Sequence, residues 1–293
     1  MKHLVFIVNP HSGVERNKEI QSAIERVLDR SLYTYEIRTT EYAGHGTELA
    51  AQAAAAGAFA VIAVGGDGSV NDVIRGLKNT PTALGIVPQG SGNGMARTLD
   101  IPVNLTQSVQ LLNKAKTEAI DIGYVNDRLF VSNAGVGYDA LIAGKFAGSK
   151  RRGLMVYSWL VTKYLWLYKC QDWQLEVDGQ KLERKAFMIN VANGQQFGYD
   201  FKIAPDASWT DGLLDVIIIK NFPRILGSLM AWRMMRGTLL QSKYVERIRG
   251  RHITISHPTL HQMQTDGDPH SCAPELHFRV EEKTQQVLVP AHS

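Results

Sequence analysis

AFAVIAVGGDGSVND, residues 58–72, decides the fold. Ala58–Val64 is an unbroken apolar run, as a strand buried on both faces of a parallel sheet requires. It stops at Gly65-Gly66. Ser69–Leu77 then places Val70, Val73, Ile74 and Leu77 at helical spacing. The same unit repeats outward. Upstream, Leu4–Val8 is a second apolar run ending at Asn9-Pro10, and Glu15–Leu28 has one apolar helical side. Tyr33–Arg38 alternates as a strand does, and Thr47–Ala56 is alanine-rich and helical. Downstream, Ala83–Val87 is a strand closed by Pro88. This alternation predicts an α/β, doubly wound parallel sheet with helices on both faces. Right-handed crossovers put the C-terminal ends of its strands along one edge.

Beyond about residue 118 the texture changes. Arg128–Ser132, Trp173–Val177, Ala186–Val191, Leu213–Ile219, His252–Ser256 and Glu275–Val280 read as strands joined by turns, with Asp178-Gly179 a hairpin signal. Helices are expected at Leu154–Tyr168 and Arg224–Met235. The expected division is an α/β nucleotide-binding domain, 1–118, and a β-rich, mainly antiparallel sandwich domain, 119–293.

The 293 residues are 44% apolar and 20% charged, which is globular and large enough to fold without disulfide or metal. Lys and Arg number 32 against 28 Asp and Glu, a mild excess that permits attraction to anionic substrates or membrane surfaces. No basic stripe supports nucleic-acid binding. Cys170 and Cys272 have no metal or redox spacing, and the nine histidines no ligand spacing, so a reducing, cytoplasmic setting is expected. The opening MKHLVFIVNPHSG is too briefly apolar for a signal peptide. The apolar stretch Trp159–Leu167 is broken by Lys163, so no bilayer span is expected.

Three glycine-bearing loops fall at predicted strand ends: Asn9-Pro10-His11-Ser12-Gly13, Gly65-Gly66-Asp67-Gly68-Ser69 and Pro88-Gln89-Gly90-Ser91-Gly92-Asn93. Glycines allow positive φ and let a phosphate approach main-chain N–H groups. Two of the loops open onto helices whose N-termini favour anions. Ser12, Ser69 and Ser91 add hydroxyl donors. One tight turn would be an ordinary connection; three at one sheet edge point to a polyphosphate. Asp67, an acid inside an anion cradle, reads as a metal ligand or proton handler. Its alternative is the N-cap of the helix beginning near Ser69. No G-x-x-x-x-G-K-[ST] loop is present.

The ordered set NPHSG, GGDGSVNDV, PQGSGN, NAGVGYDA, PDASWTDGLLDV and TDGD resembles the diacylglycerol kinase catalytic-domain family, from Asn9 to Asp268. That family includes bacterial diacylglycerol and related lipid kinases and the sphingosine and ceramide kinases. The resemblance implies an ATP- and Mg²⁺-dependent lipid kinase. It implies nucleotide contacts from Asn9, Pro10, His11, Ser12, Gly13, Thr40, Ser91 and the run Gly65, Gly66, Asp67, Gly68, Ser69, Val70 and Asn71. It implies a structural Mg²⁺ at Ser208, Asp211 and Leu213; read alone, Thr210-Asp211-Gly212 is a turn. In Thr265-Asp266-Gly267-Asp268 the family usually shows Asp-Gly-Glu, with the Glu proposed as base. Asp268 takes that place one methylene shorter, so either the backbone sits closer or Asp266 or Asp67 shares the role. The catalytic set is therefore Asp268 with Asp67. Read alone, Asp266-Gly267 is a hairpin turn with solvated acids. The alternatives are an NAD kinase-like enzyme, which shares the GGDG logic, and a catalytically weak nucleotide-binding regulator, which the Asp268 departure keeps open.

A lipid acceptor requires a visit to a membrane surface. Lys150-Arg151-Arg152 precedes Tyr157, Trp159, Tyr164, Trp166 and Tyr168, and Arg224–Arg236 carries Leu226, Leu229, Met230, Trp232, Met234 and Met235. Both stretches suit peripheral membrane association; the alternative for both is an ordinary core-facing helix. A homodimer is left open.

Overall fold

A computed structural model describes residues 1–9, 14–90, 92–149, 154–198 and 200–291. The chain forms two compact units, Met1–Ile120 with Lys283–Ser293, and Asp121–Glu282. The sequence reading had a single boundary at 118/119. The division has a second at Glu282/Lys283, because the last strand leaves one unit and ends in the other.

The first unit holds strands β1 (Lys2–Val8), β2 (Tyr33–Thr39), β3 (Ala60–Gly65) and β4 (Ala83–Pro88). Its helices are α1 (Val14–Val27), α2 (His45–Ala55), α3 (Asp67–Leu77), α4 (Gly94–Thr98) and α5 (Leu105–Leu111). The sheet is parallel in the order β2-β1-β3-β4, and Val287 from the end of the chain pairs in parallel beside Leu84. Successive strand side chains point to opposite faces. Leu4, Phe6, Val8, Ile62 and Val64 form one core with Ile20 and Ile24 of α1 and Val109 of α5. The alternate residues Val5, Ile7, Val61 and Ala63 are equally buried, on the face opposite. This is the doubly wound sheet the apolar runs predicted.

The second unit is antiparallel. Its strands are β5 (Lys116–Val125, begun in the first unit), β6 (Arg128–Phe130), β7 (Asn133–Gly137), β8 (Gln171–Val177), β9 (Gln180–Ala192), β10 (Leu214–Lys220), β11 (Val245–Gly250), β12 (His252–Ser256), β13 (Gln262–Thr265), β14 (Asp268–Ser271) and β15 (Glu275–Val289). Its helices are α6 (Tyr138–Ala147), α7 (Leu154–Leu167) and α8 (Gly227–Met235). The long β9 makes the sandwich. Its first half pairs with β8, and its second half pairs with β7 and β10. Trp173, Phe130, Ile189, Val216, Ile253 and Phe278 fill the space between the layers. Asp178 (φ 48) and Gly179 (φ 85) close the β8–β9 hairpin with the two positive φ values of the turn that matches strand twist. Asp266 (φ 50) and Gly267 (φ 88) do the same between β13 and β14.

Candidate active site

In the first unit the described parts of the three turns, Asn9, Gly65–Ser69 and Pro88–Gly90, are neighbours. Each follows a strand of one parallel sheet, so all lie at its C-terminal edge. Asn9 N–H donates to the Val64 carbonyl at 3.4 Å, and Gln89 N–H to the Gly65 carbonyl at 2.8 Å. Thr40, just past β2, donates its N–H to the Val8 carbonyl at 2.9 Å, which places it beside the end of β1. Gly66 and Gly90 approach so closely that a Cβ on Gly90 would stand 2.4 Å from the Gly66 Cα. Glycine is the only residue this crossing admits. By contrast, a Cβ on Gly68 would meet nothing within 4 Å. Among the described residues nothing therefore fills the space before the first turn of α3, and its N-cap, Gly66, contributes no side chain.

Asp67 is tied into this arrangement. Its Oδ1 accepts the Gly94 N–H at 2.7 Å, with the Asn93 and Met95 amides on either side. It thus caps α4, 27 residues away, rather than its own helix. Burial raises its carboxyl above the ordinary value, against the pull of those amides. Asn93, in the left-handed region at φ 52, completes the third turn by accepting from Gly90 N–H at 2.9 Å and donating to Gly90 carbonyl at 2.8 Å. Ser69 is near enough that a Cβ on Gly65 would strike its Oγ at 2.3 Å. Val70 and Asn71 are buried in the unit, and the Val70 N–H donates to the Gly66 carbonyl at 3.2 Å. Pro10, His11, Ser12, Gly13 and Ser91 lie outside the described residues.

The second unit carries the other expected residues. Asp268 begins β14, opposite Thr265, and is exposed. Its neighbour Asp266 is not a solvated acid: Oδ1 accepts Ser132 N–H at 2.7 Å and Asn133 N–H at 3.0 Å, and Oδ2 accepts Val131 N–H at 2.9 Å. Three amides on one carboxylate fix the hairpin to the β6–β7 connection. From inside the hairpin, Gln264 Oε1 accepts the Gly267 N–H at 2.7 Å.

Behind the hairpin lies a polar cluster that sequence reasoning missed. Asn190 Nδ2 and Gln264 Nε2 each donate to Asp139 Oδ2 at 2.9 Å, and to Asn133 Oδ1 at 3.0 and 2.8 Å. Asn133, Asn190 and Gln264 are all buried. Burial pushes the Asp139 carboxyl up to about 6, against the hydrogen bonds that favour its charge. Asn190 Oδ1 is buried and finds no hydrogen-bond partner among the described residues. The available signal was Asn190 itself, one polar residue inside the apolar run Phe187–Val191. Gly135 is required beside this cluster, since a Cβ there would stand 2.0 Å from Asp139 Oδ2.

Ser208, Asp211 and Leu213 share one turn. Asp211 Oδ1 accepts the Leu213 N–H at 3.1 Å, and Ser208 Oγ accepts the Thr210 N–H at 3.3 Å. The buried Asp121 anchors the turn by accepting Gly212 N–H at 2.7 Å. The available donors are one carboxylate, a hydroxyl and carbonyls, all hard oxygens of the kind Mg²⁺ takes. Among the described residues no group of three His, Cys, Asp or Glu is placed to hold a metal.

The pattern of the diacylglycerol kinase catalytic domain matches residues 3–125, and that of the YegS C-terminal NAD kinase beta sandwich-like domain matches 132–289. The chain belongs to the diacylglycerol kinase family. A "Probable lipid kinase YegS-like" protein of Chromohalobacter salexigens is 31% identical over 70% of this chain and 67% of its own. A diacylglycerol kinase of Bacillus subtilis is 27% identical over 92% of this chain and 90% of its own. The crystal structure of a diacylglycerol kinase from Bacillus anthracis superposes with a TM-score of 0.76 at 19% identity, covering 99% of this chain and 97% of that one, which shows the shared fold. As a member, the chain is a lipid kinase, a phosphotransferase with an alcohol group as acceptor. That resolves the NAD-kinase alternative raised by the GGDG loop. Among the described residues no helix is long and apolar enough to cross a membrane.

Proposed function

We propose that this chain transfers the γ-phosphate of ATP to the hydroxyl of diacylglycerol or a related glycerolipid or sphingoid acceptor. The observation that carries the reading is the crossing of Gly66 and Gly90 at the N-terminus of α3, beside the open face at Gly68. Phosphoryl transfer asks chiefly for alignment and charge neutralisation. Backbone N–H groups at a helix N-terminus supply donors to phosphate oxygens without a side chain in the way. Asn9, Thr40, Ser69 and the Gly65–Asn71 backbone form the nucleotide-binding set, continued by Pro10, His11, Ser12, Gly13 and Ser91. Asp67 holds two of the turns in register, and its remaining lone pairs are available to a hydrated cation.

When bound, Mg²⁺ would neutralise the β- and γ-phosphate oxygens. A second ion would take oxygens of Ser208, Asp211 and Leu213. Asp268 accepts the acceptor hydroxyl's proton: it is an exposed carboxylate on a hairpin whose backbone is pinned by Asp266. The shorter acid favours one second reading, a nucleotide-binding protein with weak turnover. Both are tested with labelled ATP and a lipid panel in mixed micelles. Label in one lipid product, lost in Asp268→Ala, supports the kinase assignment to that acceptor; tight ATP binding with no labelled lipid supports the weak regulator.

A further inference from the structure

Among the described residues thirteen large hydrophobic side chains are exposed, and nine of them lie on α7, on α8 or in the turn before α8. Helix α7 is apolar on every side, the pattern of a buried helix. One side does pack inward: Val161, Tyr164 and Leu165 join the core that contains Phe187, Ile217 and Met230. The opposite side carries Met155, Trp159 and Trp166, spaced 4 and 7 residues apart, and all three are exposed. Helix α8 repeats the arrangement. Met230 and Met234 face the same core, while Leu229, Trp232 and Met235 face out. The helices are neighbours, since a Cβ on Gly227 would stand 2.5 Å from Leu165 Cδ2. Their outer faces thus leave apolar side chains, three of them tryptophan, without a protein partner.

Charge says what covers them. Ala140–Cys170 contains six Lys or Arg and no Asp or Glu. Val216–Val245 contains five Lys or Arg and again no acid. These two stretches hold eleven of the 32 basic residues and none of the 28 acidic ones, which leaves 21 basic against 28 acidic elsewhere. Lys163 lies 4.8 Å from the Trp159 ring centre and Arg236 5.7 Å from that of Trp232, so cations flank the exposed indoles. A protein partner of ordinary composition calls for charges of both signs at its rim. Tryptophan at an apolar–polar boundary, on acid-free helices and with Lys163 and Arg236 beside two of the indoles, matches the interface of an anionic bilayer.

We infer that the outer faces of α7 and α8 form one docking surface for an anionic phospholipid bilayer. The inference deepens the proposed function and rests on that reading for why a bilayer is visited. On docking, the indoles enter the headgroup boundary and Lys163 and Arg236 remain at phosphate level.

The test is flotation of the full chain with phosphatidylcholine vesicles, with and without phosphatidylglycerol. The expected result is binding that needs phosphatidylglycerol and weakens with salt. Trp emission should shift to the blue from Trp159, Trp166 and Trp232, since Trp173 and Trp209 are already buried. The triple variant Trp159→Ser/Trp166→Ser/Trp232→Ser and the pair Lys163→Glu/Arg236→Glu should each lower vesicle partition by about tenfold or more. Their melting temperatures should match wild type, because every substituted side chain is exposed. Their phosphate transfer in detergent micelles should also be unchanged. Wild type that ignores vesicles, or variants that bind them equally well, overturns the inference. So does a lipid-free dimer that the Trp substitutions dissociate while vesicle binding is unaltered. If wild type transfers no phosphate in micelles, the proposed function falls while flotation still decides the docking surface.

Discussion

The two units fix their functional turns by opposite means. In the first, two glycine backbones cross at a distance only glycine permits, and one carboxylate, Asp67, ties the crossing to α4. In the second, the β13–β14 turn is held from below by the half-buried Asp266 on three amides and by the buried Gln264 between Asp139, Asn133 and the Gly267 N–H. A surface meant to meet a polyanion must present N–H groups and keep side chains out. A hairpin that presents an acid needs its backbone fixed while that acid stays in solvent. In each unit one acid anchors backbone amides, and only in the second does an acid two residues on, Asp268, stand exposed.

The largest expected effect separates those neighbours. Asp268→Ala should lower phosphate transfer by about 10²–10⁴-fold with no change in melting temperature, as for a lost general base. Asp266→Ala should instead destabilise by about 3 kcal/mol, because three amides lose a charged acceptor. Activity assays and calorimetry on the pair break the comparison if the two effects come out reversed. Next, Gly90→Ala should cost about 1–3 kcal/mol and weaken ATP binding, because its Cβ meets backbone. Gly68→Ala should leave stability within about 0.5 kcal/mol. Equal behaviour in nucleotide titrations would deny the crossing its role.

The last effect depends on pH and concerns Asp139. Its carboxyl is raised to about 6 in the fold, so the native state holds a proton more tightly than the unfolded chain. That stabilisation is full below about pH 4 and is lost as pH rises from there through 6, about 3 kcal/mol in all and about 2 kcal/mol of it above pH 4.5. Asp139→Asn should remove this slope and be no less stable than wild type at pH 7.5, since the buried Asn190 Oδ1 can take an amide proton. Denaturant unfolding at pH 4.5 and 7.5 measures it; an unchanged slope in the variant would place the titration elsewhere.

The parallel sheet was legible because Leu4–Val8, Ala58–Val64 and Ala83–Val87 are apolar without interruption, and only strands covered on both faces read that way. The glycine turns followed from it. The hairpin at Asp178-Gly179 was legible from local turn chemistry. What escaped was glycine and polarity serving packing. Asn133–Gly137 and Tyr138–Ala147 form β7 and α6, yet Gly135, Gly137 and Gly144 make the stretch resemble a loop. Gly135 makes room for Asp139, four residues on, and Gly144 for Gln262, a partner distant in sequence. Asp67 and Asp266 were read as chemistry or solvated acid, whereas both bond amides of segments 27 and more than 130 residues away, which no local pattern announces.

Strand β15 carries a consequence for synthesis. The neighbour that closes β4 comes from the segment holding Val287, so everything in Asp121–Glu282 is translated before that edge is covered. Until then a nascent chain presents an unpaired, wholly apolar strand, the kind of edge that recruits other chains. Completion of the nucleotide-binding half therefore waits for the segment that follows Glu282, and a chaperone's period of need spans the synthesis of the whole second unit.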